Sequence, residues 1–332
     1  MPDFVSLVAQ QLPAGDCDRV PGLQPLRLLL AAPRGFCAGV RRGIEAVEEA
    51  LRRFGAPVYV RRPIVHNLTV VRALEAKGAI FVQELDEVPD GAVVIMSAHG
   101  IPRRIADEAD RRALTWYDAV CPLVAKVHRE VVRHHDNGRH VILIGHEGHP
   151  EIAGTLGQLP AGAASVVQDA DGVAALDLEA DRPVAYAVQT TYSVEESRDV
   201  ISAVLERFAD VAAPASSDIC YATTNRQAAI RAIAAETDAV IVAGERFSSN
   251  ACRLAEVARA SGCAQVQLVA TADEVDLDAL DGAASVGISA AASTPEETVE
   301  AIIAALAGRF ALAIEERHQL TETMVFKPVR FV

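Results

Sequence analysis

Leu28-Leu-Leu-Ala-Ala-Pro-Arg-Gly-Phe-Cys-Ala-Gly39 is the stretch whose reading decides the fold. Its first five residues are apolar without alternation, as in a strand covered on both faces. Pro33-Arg34-Gly35 breaks the run, and Cys37-Ala38-Gly39 opens a segment that continues through Val47 and Leu51 and stops at Gly55. A buried strand that turns sharply into a helix is half of a βαβ unit. The alternation recurs, with strands expected at Val58–Val60, Val93–Ser97, Trp116–Val120, Val141–Ile144, Val184–Val188, Val240–Ala243, Val266–Val269 and Val286–Ser289. Pro122 suits a first helical position, where its missing N–H costs nothing. Ser193-Val-Glu-Glu196 has capping-box spacing, and Ser293-Thr-Pro-Glu-Glu297 starts a helix in the same style. The fold class expected is α/β, on mostly parallel sheets.

A chain of 332 residues is long for one core. Cys37, Cys121 and Cys220 each sit where a strand-like run gives way to a helix, at roughly 84- and 99-residue intervals, which suggests three similar α/β modules. A doubly wound sheet split into two domains is the competing layout. The three-module layout assigns residues 1–26 to a flexible N-terminal arm and 27–37 to a first strand packing with the third module. The modules then run over 38–121, 122–216 and 217–320, with a tail at 321–332. A formal charge of −14 argues against general nucleic-acid binding, and no apolar run is long enough to span a bilayer. The arm lacks the cationic start of a secretory signal and the Arg-rich pattern of a transit peptide. A cytoplasmic setting is therefore expected, with six cysteines serving as ligands, catalysts or core residues rather than in disulfides.

Open α/β folds gather their site residues at strand ends, and here those ends are rich in Cys, His, Thr, Ser and Asn. They read Pro63-Ile-Val-His-Asn67, Ala98-His-Gly100, Cys121-Pro122, Gly145-His-Glu-Gly-His-Pro-Glu151, Gln189-Thr-Thr191, Cys220-Tyr221, Ser248-Ser-Asn250 and Ala292-Ser-Thr-Pro295. Three thiolates brought there could hold a soft metal or an iron–sulfur cluster with one position left open, the mark of a catalytic cluster. Taken singly, a buried cysteine is most often an inert small hydrophobe. Cys252 and Cys263 lie within or after a predicted helix and are read that way, and Cys17 belongs to the arm. His66, His99 and His149 follow strands beside Gly, Asn or Pro, which favours ligand contact. His134, His135 and His140 flank the turn Asp136-Asn-Gly138 and are expected in solvent. Gly145-His-Glu-Gly-His149 lacks the one-turn helical spacing of a zinc protease site. Glu151, shielded from water near an anion, would have a raised pKa and serve as a proton donor; helix capping is its plainer role. Ser248-Ser-Asn250 either caps the following helix or holds phosphate oxygens at its positive end.

At this point the chain resembles the 4-hydroxy-3-methylbut-2-enyl diphosphate reductase family. The match is carried by Pro33-Arg-Gly-Phe-Cys-Ala-Gly-Val40, Val65-His-Asn67, Ser97-Ala-His-Gly100, Cys121-Pro-Leu-Val124 and Gly148-His-Pro-Glu151. It continues through Gln189-Thr-Thr191, Ile219-Cys-Tyr-Ala-Thr-Thr-Asn-Arg-Gln227 and Ser248-Ser-Asn250, over roughly residues 27 to 327. The resemblance implies three α/β modules around a central cavity. It implies one [4Fe–4S] cluster held by Cys37, Cys121 and Cys220, which air degrades to [3Fe–4S] or removes. The fourth iron would take the substrate's hydroxyl oxygen, and two electrons and two protons would remove it as water. The products would be isopentenyl and dimethylallyl diphosphates, at the end of the methylerythritol phosphate route to isoprenoids.

On the same resemblance His66, His99, Ser248, Ser249, Asn250 and Ser293 cradle the diphosphate, and His149 contacts the substrate. Thr190 orients the hydroxyl and relays a proton whose source is Glu151. A ferredoxin or flavodoxin supplies electrons. The chain departs from the pattern at Ser289-Ala-Ala-Ala-Ser293, where an alanine stands in place of the usual glycine just before the serine, and at Cys252 after Ser249-Asn250. Two other readings are a cluster-based redox sensor and a zinc-dependent phosphoester hydrolase. The sensor would carry a basic patch or an appended domain, and metal analysis would reveal the hydrolase.

Overall fold

The computed structural model describes residues 23–331. The arm expected at 1–26 lies outside the described residues up to residue 22, as does Cys17, and its last residues already belong to β1. In chain order the elements begin β1 (Gln24–Ala32), α1 (Ala38–Phe54), β2 (Val58–Arg61), α2 (Leu68–Ala76), β3 (Ala79–Val82), β4 (Val93–Met96), α3 (Arg103–Arg111) and β5 (Thr115–Asp118). Next come α4 (Pro122–Asp136), β6 (His140–Ile144), α5 (Pro150–Leu156), β7 (Ala164–Val167), α6 (Ala170–Ala174), β8 (Val184–Val188), α7 (Val194–Arg207) and β9 (Val211–Ala212). Then follow α8 (Tyr221–Ala234), β10 (Ala239–Ala243), α9 (Ser249–Ala260), β11 (Gln265–Val269), β12 (Ser285–Ala290), α10 (Glu296–Ala307) and β13 (Phe310–His318). They form three sheets, ordered β11-β10-β12-β1-β13, β3-β2-β4-β5 and β7-β6-β8-β9, with every strand pairing parallel. The α/β class and the parallel sheets are as the apolar runs predicted.

The chain divides into two compact units. Among the described residues the first takes in 23–35, Asn225–Arg246 and Leu254–Glu322; the second takes in Phe36–Thr224, Phe247–Arg253 and 323–331. The five-stranded sheet is the core of the first unit, and the unbroken Leu28–Ala32 run shows why. Leu28 and Leu30 pack on one face with Ile241, Ile288 and the Val299, Ile302 and Leu306 stripe of α10. Leu29 and Ala31 pack on the other with Ile230, Ile233, Leu254 and Val257. With successive side chains pointing to opposite faces, only a run apolar at every position satisfies both layers. Each fully buried leucine contributes about 1.5–3 kcal/mol relative to leaving it exposed.

Arg226 anchors the turn at the end of β1 within this unit. Its side chain has no exposed surface; Nε and Nη2 donate to Gly35 O at 3.0 and 2.7 Å, and Nη1 to Glu322 Oε1 at 2.8 Å. Gly35 is at φ +66, and a Cβ there would come within 3.2 Å of Thr294 O. Removing one partner of a buried pair leaves the other uncompensated, so Arg226→Met is expected to cost about 3–5 kcal/mol. Denaturant unfolding of the variant beside the parent checks it.

The second unit holds the two four-stranded sheets. A hydrophobic cluster of Val47, Ala50, Val58, Val60, Val70 and Ile95 lies on the β2–β4 side, joined by Phe331. Phe331 packs against Tyr117 with the rings tilted and their centroids 4.5 Å apart, and Arg42 ties the same tail to the site by donating to both Lys327 O and Val120 O at 2.9 Å. The β6–β8 side is built on Ile142, Ile144, Val184, Val188 and Val204. Glycines let α5 seat on the loop after β4. A Cβ on Gly154 would meet the Gly100 carbonyl at 3.1 Å, and one on Gly157 would meet Pro102 at 2.2 Å. Gln158 Nε2 and Arg103 N–H close the seat by donating to Ile101 O at 2.7 Å and Gly157 O at 3.0 Å.

Four strands were not predicted. β3, β7 and β9 are short or only partly apolar, and β13 ends in Glu315-Glu-Arg-His318. In β13 those charges find partners on flanking elements, Arg27 with Glu315 at 3.0 Å and Arg34 with Glu316 at 2.6 Å. The expectation that His134 and His140 are solvated is corrected: both are buried. His134 continues the inward stripe Val124, Val127, Val131 of α4. His140 opens β6, with Nε2 2.9 Å from Ser165 Oγ.

Candidate active site

Cys37 is the N-cap of α1, and its Sγ accepts the Val40 N–H at 3.4 Å. Cys121 is the N-cap of α4, with Pro122 at the first helical position. Cys220 directly precedes α8; its Sγ accepts the Thr223 N–H at 3.4 Å and lies 3.2 Å from Thr223 Oγ1. Each thiol thus sits at the positive end of a helix dipole. The second unit brings all three together. A Cβ built on Gly39 would lie 2.8 Å from Cys121 Sγ and 3.7 Å from Cys37 Sγ, and Cys220 is close enough to both to interact electrostatically. Burial, with mutual repulsion, pushes Cys121 up to about 12 and Cys220 up to about 11. None of the five described cysteines is in a disulfide.

These residues fit an iron–sulfur cluster. Three soft donors converge, the missing Gly39 side chain leaves room beside two of the sulfurs, and the burial that holds the protons on Cys121 and Cys220 is overcome when metal ligates a thiolate. Among the described residues no three His, Cys, Asp or Glu side chains are grouped to hold a metal ion. The ligands of a multi-iron cluster bind separate irons and stand farther apart than those of one ion.

Glu151 lies in the first turn of α5 and is buried. Its Oε1 accepts the Thr190 N–H at 2.6 Å and its Oε2 the Thr190 hydroxyl at 2.7 Å, so its side chain does not cap its own helix. Burial raises the carboxyl to about 7 against the lowering effect of the Thr190 hydrogen bonds, and Asp218 adds to the rise. Thr190 O in turn accepts the Cys220 N–H at 3.0 Å. The Glu151 carboxyl, Thr190 and the Cys220 backbone are therefore consecutive links.

His66, His99 and His149 converge, with ring centroids 4.3 Å (His66–His99), 5.7 Å (His66–His149) and 6.0 Å (His99–His149) apart. Burial first, and then in His99 and His149 the charge of the neighbouring imidazoles, lowers all three, His149 to about 3. They are neutral near pH 7. His149 Nδ1 accepts the Glu151 N–H at 3.2 Å, capping α5, which places its ring proton on Nε2. Ser97 Oγ lies 2.8 Å from His99 Nδ1. Phe247 packs edge-on against His66 at 5.9 Å and leads into Ser248, whose Oγ accepts the Ala251 N–H at 3.4 Å at the start of α9. Ser249 Oγ accepts from the Thr191 hydroxyl at 3.4 Å and Gln189 Nε2 at 3.5 Å. Asn250 is buried beside them in α9, and Ser293 is buried after β12 in the first unit.

Sequence reasoning passed over the residues that hold these groups in place. Gly39 stands out in the sequence only as part of a motif, and Tyr221, whose hydroxyl accepts the Ala38 N–H at 3.0 Å, only as a neighbour of Cys220. Lys126 and Asp218 carried one available signal, a lysine on the inward side of a helix and an aspartate two residues before a cysteine.

The sequence pattern of the LytB protein family matches residues 28–307. The 4-hydroxy-3-methylbut-2-enyl diphosphate reductase of Gluconobacter oxydans is 52% identical over 93% of this chain and 94% of its own. The protein of the same name from Cereibacter sphaeroides is 51% identical over 93% and 97%. Among solved structures, the E-1-hydroxy-2-methyl-but-2-enyl-4-diphosphate reductase of Plasmodium falciparum superposes with a TM-score of 0.87 at 34% identity, covering 92% of this chain and 96% of that one. On match, length and fold together, the chain belongs to the LytB family of 4-hydroxy-3-methylbut-2-enyl diphosphate reductases.

Proposed function

We propose that this chain reduces 4-hydroxy-3-methylbut-2-enyl diphosphate with two electrons and two protons, releasing its hydroxyl as water and giving isopentenyl and dimethylallyl diphosphates. Cys37, Cys121 and Cys220 would hold one [4Fe–4S] cluster, which supplies Lewis acidity toward the hydroxyl oxygen and passes the electrons. The observation that carries this reading is the buried Glu151–Thr190 pair hydrogen-bonded onward to the Cys220 backbone. A carboxyl raised to about 7 holds its proton in roughly half of the molecules in neutral solution. With that proton on Oε2, the 2.7 Å contact runs from carboxyl to Thr190 Oγ1, and the Thr190 hydrogen is free to turn toward a substrate hydroxyl. The pair is a short proton relay in which the carboxyl itself stays away from water.

His66, His99 and the α9 start at Ser248, Ser249 and Asn250 supply neutral N–H and O–H donors for a diphosphate. The dipole of α9 favours the anion there, and binding would draw protons onto the imidazoles, so a net charge of −14 is no obstacle. His149 offers Nε2–H to the substrate. Ser293 enters the diphosphate set on the resemblance alone. Among the described residues no helix is long and apolar enough to cross a membrane. A ferredoxin or flavodoxin in the cytoplasm, where thiols stay reduced, is the electron source that suits this chemistry.

Anaerobic oxidation of reduced methyl viologen by the iron-loaded protein, with and without the hydroxylated diphosphate, tests the proposal. Substrate-dependent oxidation is expected; its absence with iron and sulfide bound would overturn the activity. The same assay carries a pH prediction. The donor is the protonated carboxyl, so kcat/KM should fall as pH rises through about 7. Bound diphosphate disfavours ionisation of Glu151, so the matching limb in kcat should lie at higher pH.

A further inference from the structure

We propose that Lys126 is a positioning residue that sets Cys220 and Thr190 against the helix capped by Cys121. Lys126 lies on α4, whose N-cap is Cys121. Its ammonium reaches the segment entering Cys220, donating to Ser216 O at 2.8 Å, Ser217 O at 3.1 Å and Asp218 Oδ1 at 3.0 Å. Three donors meet three acceptors, which is the full capacity of an ammonium. The Asp218 side chain has no exposed surface, and its second oxygen accepts the Val188 N–H at 3.0 Å at the end of β8. Val188 leads through Gln189 to Thr190, and Thr190 O accepts the Cys220 N–H at 3.0 Å. One cation thus closes a ring through α4, the Ser216–Asp218 segment, the end of β8 and Cys220.

The established contacts of the site explain none of this. A lysine serving only solubility would extend into water, whereas this one is 22% exposed. A buried carboxylate is tolerated when its charge and lone pairs are matched, and here the match is spent on two backbone segments that carry the relay hydroxyl and a thiol. Groups that orient metal ligands from behind typically alter metal affinity by about 10- to 100-fold when removed. The inference rests on Cys121 and Cys220 being cluster ligands.

The test compares wild type, Lys126→Met and Lys126→Arg, each loaded anaerobically with iron and sulfide and held without substrate. Two readouts are the rate at which iron passes to ferrozine and the EPR spectrum of the cluster after one-electron reduction with dithionite; thermal unfolding of the metal-free proteins is followed alongside. Lys126→Met is expected to lose iron about 10- to 100-fold faster and to show an altered spectrum, with Lys126→Arg close to wild type. Equal iron retention and an unchanged spectrum in Lys126→Met would overturn the proposal, even if its melting point falls, because a merely structural role lowers stability without touching the cluster. Should Lys126→Met fail to fold, Asp218→Asn decides by the same two readouts. A wild type that takes up no iron would overturn the cluster assignment itself, a result distinct from equal retention.

Discussion

Glu151→Gln is expected to lower turnover by about 10²- to 10⁴-fold, the usual worth of a positioned general acid, while iron content, cluster spectrum and KM stay near those of the parent. The amide keeps the shape of the carboxyl. Its oxygen accepts the Thr190 N–H in place of Oε1, and its NH₂ group donates to Thr190 Oγ1 in place of the carboxyl proton, so neither of the two contacts at 2.6 and 2.7 Å need be lost. What disappears is a transferable proton. An interaction needed only in the transition state shows as a fall in kcat with substrate binding retained. The variant should also lose the alkaline limb, since the group responsible no longer titrates. Near-normal turnover would remove Glu151 from the mechanism. A variant that binds no iron would reassign it to holding the site together.

Gly39→Ala is expected to fold and yet to retain iron about 10- to 100-fold less tightly, the penalty typical of a disturbed ligand surrounding. Gly39 lies in regular helix α1, so no unusual backbone angle calls for glycine there. The requirement is space: the added methyl would sit 2.8 Å from Cys121 Sγ and 3.7 Å from Cys37 Sγ. Cys121 can relieve that contact by turning its side chain, which spares the fold but points a ligand away from the place its partners define. Alanine is also the better helix former, by about 1 kcal/mol. Metal-free Gly39→Ala should therefore melt no lower than wild type while the reconstituted protein carries less iron. Parallel melting curves and iron analysis separate these effects; full iron occupancy would show that Cys121 has room to spare.

The sequence was most informative where one physical demand acted alone. Leu28–Ala32 had to be apolar at every position because two helical layers cover it, and the unbroken run said so. The turn-and-cap residues Cys37, Gly55, Pro122 and Ser193 were legible because helix ends have local chemical requirements. β13 was not legible, since its charged end is satisfied by Arg27 and Arg34, more than 280 residues away in sequence. His134 and His140 misled for a related reason: a histidine beside a turn looks solvated until the facing layer is known. In the site, the polar residues at strand ends were visible as types. The pairing of Glu151 with Thr190, 39 residues apart, and the ring closed by Lys126 come only from the way neighbouring strands β6, β8 and β9 of one sheet bring their loops together.

If Cys121 and Cys220 hold the proposed cluster, their burial shapes the life of the protein between losing one cluster and receiving the next. Oxidants and alkylating agents attack thiolates, not thiols. Groups pushed up to about 12 and about 11 are almost wholly protonated at neutral pH. On the proposed ligation the emptied chain would be chemically quiet at these two of the three ligands, as long as it stays folded. Damage by oxygen would then strip the inorganic core and leave those two sulfurs intact, so that for them recovery would call for fresh iron and sulfide and not for new protein synthesis.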